Sequence, residues 1–267
     1  MTRPNSRLRA ISLTIGYAFL YVPILCLMVF SFNDSAMMTS WTGFSLRWYS
    51  ELFNDEALLS AARLSLLIAA LTATTAVIIG TWAGYLLARM GRFRGFSLFV
   101  GMLSAPLVIP EVVLGISLLL MFVELSRLTG WPAGNGIFTI WVGHVTLCTA
   151  YAAVIIQSRI RDLDRSLEEA ALDLGASPLK VFFVITLPLI APALLAAWLL
   201  AFTLSLDDVV IASFLSGPGY TTLPLEVFSR VRLGLKPEIN ALATLMIVLV
   251  ALFVVGASWL PWRRKQA

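Results

Sequence analysis

Charge is what this sequence has least of. Only 13% of its 267 residues are Asp, Glu, Lys or Arg, against about 25% in a soluble domain. A water-facing surface cannot be built over most of such a chain. Cysteine is nearly absent: Cys26 and Cys148 both sit in apolar runs, with no metal or disulfide spacing, and read as small buried hydrophobes. The single histidine, His144, lies in an apolar run without a second ligand nearby. A packed or pore-lining role fits it better than a metal site. No G-x-x-x-x-G-K-[ST] loop occurs, so the chain offers no phosphate nest. Nucleophile-elbow and zincin patterns are also missing, as are the alternating ten-residue segments of a membrane β-barrel.

What is present is apolar. Hydrophobic residues make up 59% of the chain, gathered in blocks long enough to cross a bilayer, which takes about 20 residues. Six blocks qualify, at 10–32, 58–88, 97–123, 136–158, 189–215 and 239–260. Backbone polar groups must be satisfied internally in lipid, so each is expected to be helical. The fold class is therefore all-α: a polytopic membrane protein with six transmembrane helices in one domain spanning 1–267. The first block is too long for a signal-peptide core and no small-residue cleavage site follows it. It is read as an uncleaved span.

The net charge of +4 is explained by orientation. With a cytoplasmic N-terminus, the inner loops and tails carry Arg3, Arg7, Arg9, Arg89, Arg92, Arg94, Arg159, Arg161, Arg165, Lys180, Arg263, Arg264 and Lys265. The positive-inside rule then places both termini in the cytoplasm, with Arg89, Arg92 and Arg94 serving topology. Ten of the fifteen acids fall in outer loops or within spans, a distribution that favours a cationic solute. Trp141, Trp259 and Trp262 near span ends are expected to anchor the interface.

The longest inner connection, about 159–188, is the most structured. Leu167, Ala170, Ala171 and Leu174 share a helical face. Gly175 suits a helix stop. Ser177 and Pro178 suit the cap and first position of a second helix, and Pro188 is expected to open the fifth span. Within it, Glu169-Ala170-Ala171, three residues, Gly175, nine residues, Ile185, one residue and Leu187-Pro188 resemble the "EAA" signature of bacterial ABC importer permeases. "PLVIPEVVLGISLLL" at 106–120 and "FTLSLDDVVIASFLSGPGYTTLPLEVFSRVRLGLKPEINALATL" at 202–245 resemble polyamine importer permeases, as does nearly the whole chain.

The resemblance implies a type I importer permease fold whose inner loop is a coupling helix (Glu169, Ala170, Ala171, Gly175). It implies import of a polyamine, putrescine first and spermidine next. It implies a heterodimer with a related permease, two copies of a cytoplasmic ATPase that holds the ATP and Mg²⁺, and a periplasmic binding protein. The chain itself would carry no cofactor and would not be an enzyme.

Three carboxylates stand inside apolar blocks: Asp207 and Asp208 in the fifth, Glu111 after Pro110 in the third. A charge at mid-bilayer costs about 2.5–3.5 kcal/mol on insertion scales. On a continuous helix Asp207 and Asp208 would differ in direction by about 100°. One reading makes the three a weak path for a cation. The other makes an aspartate helix glue, bonded to the partner permease or to Ser205, Thr203 or Asn240. The rival functions are an intramembrane carboxylate enzyme built on Asp207 and Asp208, and a passive channel.

Overall fold

A computed structural model describes residues 6–35, 40–91, 93–233 and 237–259. Among the described residues the chain is helical apart from turns and one isolated antiparallel bridge between Asn33 and Phe44. Five helical stretches are long and apolar enough to span: Ala10–Phe30, Glu56–Arg89, Glu111–Thr129, Ile137–Arg161 and Pro178–Leu206. Phe96–Val108 and Glu238–Leu252 are shorter apolar stretches. The chain divides into two compact units, residues 1–59 with 229–267, and residues 60–228.

In the first unit, α1 (Ser6–Phe30) is exposed from Ala10 to Leu25, and an apolar helix bare on all sides suits lipid. The connection after it is not a plain loop. Asn33 staples it: the side-chain amide donates to Ser40 O at 2.7 Å, and Oδ1 accepts from Thr42 N at 3.0 Å. Its own carbonyl accepts from the Trp48 indole at 2.6 Å. Trp48 and Leu52 are buried on one face of α2 (Arg47–Asn54). Outside the spans, Arg230 donates twice to the Asp55 carboxylate, once at 3.1 Å, and to Glu238 Oε1 at 3.1 Å. The hydrogen bond from Arg230 holds the Asp55 carboxyl below its ordinary range.

The second unit holds most of α3 (Glu56–Arg89), then α4 (Phe96–Val108), α5 (Glu111–Thr129) and α6 (Ile137–Arg161). Next come α7 (Ser166–Asp173) and α8 (Pro178–Val181), a π turn at Phe182–Thr186, α9 (Leu187–Leu206) and α10 (Val210–Leu215). The helix α11 (Leu223–Leu233) runs from this unit into the first, which ends in α12 (Glu238–Trp259). The outer connections read from sequence as loops thus contain α2 and α11.

The buried centre of this unit is α6. Ile140 and Leu147 pack with Ile68, Leu118, Phe122, Ile211 and Leu215. Further along, Ala152, Ile156 and Ile160 meet Ile190 and Ala197. Small residues let α3 approach: a Cβ on Gly80 would lie 2.8 Å from the Ala152 Cβ, and one on Gly84 would lie 3.0 Å from Ala153 O. The Gly80–Gly84 spacing is the small-xxx-small pattern of membrane helix pairs.

Three expectations are corrected. The third block is not one helix, because the chain breaks at Ile109–Pro110. Pro110 pushes Ile109 to φ −73°, ψ 131°, outside the helical region. The fifth block breaks as well, at residues 207–209. And Pro188 does not open the fifth span: helix runs on from Pro178 through the π turn. The wider turn just before Pro188 accommodates its ring and missing N–H. Trp262 lies outside the described residues, as does the Trp259 side chain; Trp141 packs on Phe138 with centroids 5.9 Å apart.

Candidate functional site

The break in the fifth block has a local cause. The Asp208 carboxylate accepts from Ile211 N at 3.3 Å and from Ala212 N at 2.8 Å. Those amides would otherwise seek carbonyls one turn back in a continuous helix. An Asp side chain that outcompetes them ends one helix and caps the next. The β-branched run Val209-Val210-Ile211 weakens the helical alternative.

Asp208 is held from a second side. His144 Nε2 lies 3.1 Å from Asp208 Oδ2, and His144 Nδ1 lies 2.7 Å from Ser205 Oγ. The His144 and Asp208 side chains are 2% and 6% exposed. His144 therefore clamps both sides of the break, the last turn of α9 and the cap of α10. Asp207 differs. It is the last residue bonded into α9, through its N–H to Thr203 O at 3.1 Å, and it is exposed. The two aspartates do point apart, but because the helix breaks between them rather than by a 100° helical step. Of the bonding partners considered from sequence, Ser205 belongs to this network, while the Thr203 hydroxyl bonds Leu199 O.

Glu111 opens α5 and is exposed. A carboxylate in a first turn is favoured by the positive end of the helix. Its surroundings follow from packing. Thr139 bonds Leu215 O, His144 meets Ser205 and Cys148 reaches Ala201 O, so α6 runs antiparallel to α9 and α10. The short 130–136 connection makes α5 antiparallel to α6, hence parallel to α10. Gly115 packs on the Phe214 ring. Glu111 thus lies one turn before the α5 residue that meets α10, at the break in the third block.

The connection between α6 and α9 is the second structured region. Gly175 has φ +83°, the left-handed conformation that glycine adopts at least cost. Its N–H bonds Leu172 O at 2.9 Å, and Ala176 N bonds Ala171 O at 3.0 Å, closing a Schellman stop for α7. Ser177 Oγ accepts from Lys180 N at 3.4 Å, with Pro178 at the first helical position. At the other end, Asp164 accepts from Ser166 N, and its backbone hydrogen bond there lowers its pKa. Glu169 and Ala170 are exposed and Ala171 half-buried. Ala171, Leu174, Gly175 and Val184 line an open hollow of about 310 Å³.

Sequence reasoning missed two partners. The sequence favours a packed or pore-lining role for His144 over a metal site, and its role as a clamp depends on a 64-residue separation that no local pattern shows. Arg89 reads from sequence as a topology signal, yet its Nε lies 2.9 Å from Glu168 Oε2. Its place at the end of an apolar run was the only available signal. Among the described residues no group of three or more His, Cys, Asp and Glu could hold a metal ion.

Comparison with known proteins identifies the architecture. Residues 76–260 match the family of binding-protein-dependent transport system inner membrane components. The chain is 61% identical over 259 residues to the putrescine transport system permease protein PotI of Escherichia coli K12, covering 97% of this chain and 92% of that one. It is 44% identical over 248 residues to the spermidine/putrescine transport system permease protein PotC of Haemophilus influenzae, covering 93% and 94%. A solved bacterial ABC transporter involved in import of the acidic polysaccharide alginate shares the fold, with TM-score 0.73, 17% identity and 97% and 99% coverage. These relatives are transport proteins, which sets aside the intramembrane carboxylate enzyme. The chain belongs to the inner membrane components of binding-protein-dependent transport systems, as a permease rather than an enzyme.

Proposed function

We propose that the chain is the transmembrane permease subunit of an ATP-driven importer that moves putrescine into the cytoplasm. The observation that carries this is the 61% identity to a putrescine permease over nearly the whole chain. Spermidine is the second substrate, since the spermidine/putrescine permease of Escherichia coli is 42% identical over 250 residues. The open carboxylates suit the chemistry: Asp207 and Glu111 are both exposed, and a diamine carries a charge at each end. Contacts that remain open to water bind weakly, which a transporter needs for release.

The remaining assembly follows the same reading. A related permease completes the pathway, with six spans in each subunit and both termini cytoplasmic. Two copies of a separate ATPase hold ATP and Mg²⁺, and a periplasmic protein delivers the diamine. Glu169, Ala170, Ala171 and Gly175 form the surface that meets the ATPase. Glu169 and Ala170 are exposed, so the side chains of this signature are available to a partner. The test is reconstitution of the chain with its partner proteins in vesicles. ATP-dependent uptake of labelled putrescine above spermidine is expected. Uptake without ATP would mark a passive channel, and preference for iron over any amine would overturn the polyamine assignment.

A further inference from the structure

The inner end of the bundle contains a connection that neither topology nor the ATPase-binding surface explains. Glu168, one residue before the Glu-Ala-Ala signature, uses its two carboxylate oxygens on two different elements. Oε2 lies 2.9 Å from Arg89 Nε at the end of α3, an ion pair without hydrogen-bond alignment. Oε1 accepts from Thr186 Oγ1 at 2.7 Å, at the last residue of the π turn that leads into α9. The Arg89 and Glu168 side chains are only 9% and 13% exposed. A pair so withdrawn from water is screened far less than a surface ion pair.

Two more bonds close the same corner. Arg89 Nη2 donates to Leu163 O at 3.4 Å, and Arg165 Nη2 donates back to Arg89 O at 3.1 Å. The end of α3 is thus tied by side chain and backbone to the segment joining α6 and α7. Meanwhile Glu169, next along α7, is exposed. Adjacent helical residues diverge by about 100°, so one acid faces the bundle and the other faces away.

From this geometry we infer that Glu168 is a positioning residue, the joint through which displacement of α7 is passed to α3 and α9 together. A short helix bound only by its connecting loops would tilt without moving the spans. Fixed to α3 by Arg89 and to the π turn by Thr186, it moves both. The π turn is the pliable element in the path, since its i→i+5 bonds are a local departure from α geometry often found at functional sites. Arg89 consequently has a mechanical role in addition to its positive charge.

The inference rests on the proposal that α7 receives motion from an ATPase. Its test reads motion directly. In a chain with Cys26 and Cys148 replaced by alanine, Thr203→Cys places a thiol at an exposed position of α9. Maleimide labelling of the assembled complex in vesicles is compared with and without ATP. A labelling-rate change of fivefold or more is expected with Glu168 intact. Glu168→Gln should reduce it below twofold in complexes that still co-purify with the ATPase, and Thr186→Val, which keeps the shape, should give an intermediate value. The exchanged pair Arg89→Glu with Glu168→Arg should restore at least half of the change. Full ATP response in the Glu168→Gln complex would overturn the joint. No ATP response with Glu168 intact would instead contradict the ATP-driven reading on which the joint rests.

Discussion

Glu168–Glu169 and Asp207–Asp208 are two pairs of adjacent acids about 40 residues apart, and each divides its labour the same way. Glu168 is held by Arg89 and Thr186, and Asp208 by His144 and two backbone amides. Glu169 and Asp207 are exposed. The means differ. In α7 the helix stays intact and its own rotation separates the two carboxylates. At 207–209 the helix is broken, and the break separates them. In each pair one carboxylate is withdrawn and held by its own chain, while its neighbour is exposed. Doubled acids in an apolar protein thus need not share one task.

Each contrast can be broken by substitution. The largest effect is expected at Asp207. Losing one charged contact of about 1.5–3 kcal/mol should raise the KM for putrescine uptake on the order of tenfold or more, while the melting temperature of the purified subunit stays put. Glu169→Ala should come next, lowering both ATPase co-purification and uptake; normal values of both would remove Glu169 from the ATPase surface. Asp208→Leu should behave in the opposite sense to Asp207→Asn. It uncaps α10 and strands the buried His144, so the subunit should lose about 1–3 kcal/mol of stability, read as a lower melting temperature.

Gly175→Val is smaller again. A side chain at φ +83° costs about 1–2 kcal/mol, confined to the α7 stop, so co-purification with the ATPase should weaken before the spans melt. The smallest effect lies outside both pairs. The Arg230 hydrogen bond holds the Asp55 pKa below its ordinary 3.8. That contribution is present above the unfolded value and is lost as pH falls through the lower folded value. Arg230→Gln should therefore reduce stability near neutral pH and leave it unchanged in strong acid, as followed by thermal melts across pH.

Much of this was legible from sequence because the signals are local. Apolar length marked the helices, the turn chemistry of Gly175 and Ser177-Pro178 marked the inner loop, and the signature spacing led to the family. The two helix breaks were half visible. Pro110 announces a disturbance in any helix, whereas Asp208 interrupts its helix only through competition for the amides of Ile211 and Ala212. Periodicity saw an unbroken apolar run there. The partners His144 and Arg89 were illegible for another reason. Each acts across more than 60 residues of chain, and without the packing of α6 and α7 nothing distinguishes a clamp from a buried polar residue or a topology signal.

The division of labour is tested most directly by putrescine uptake in vesicles containing the complete complex, comparing the native chain with Asp207→Asn. A KM raised at least tenfold, with the melting temperature unchanged, is the predicted result. An unchanged KM, or a loss of uptake accompanied by an equal loss of folded protein, would contradict it.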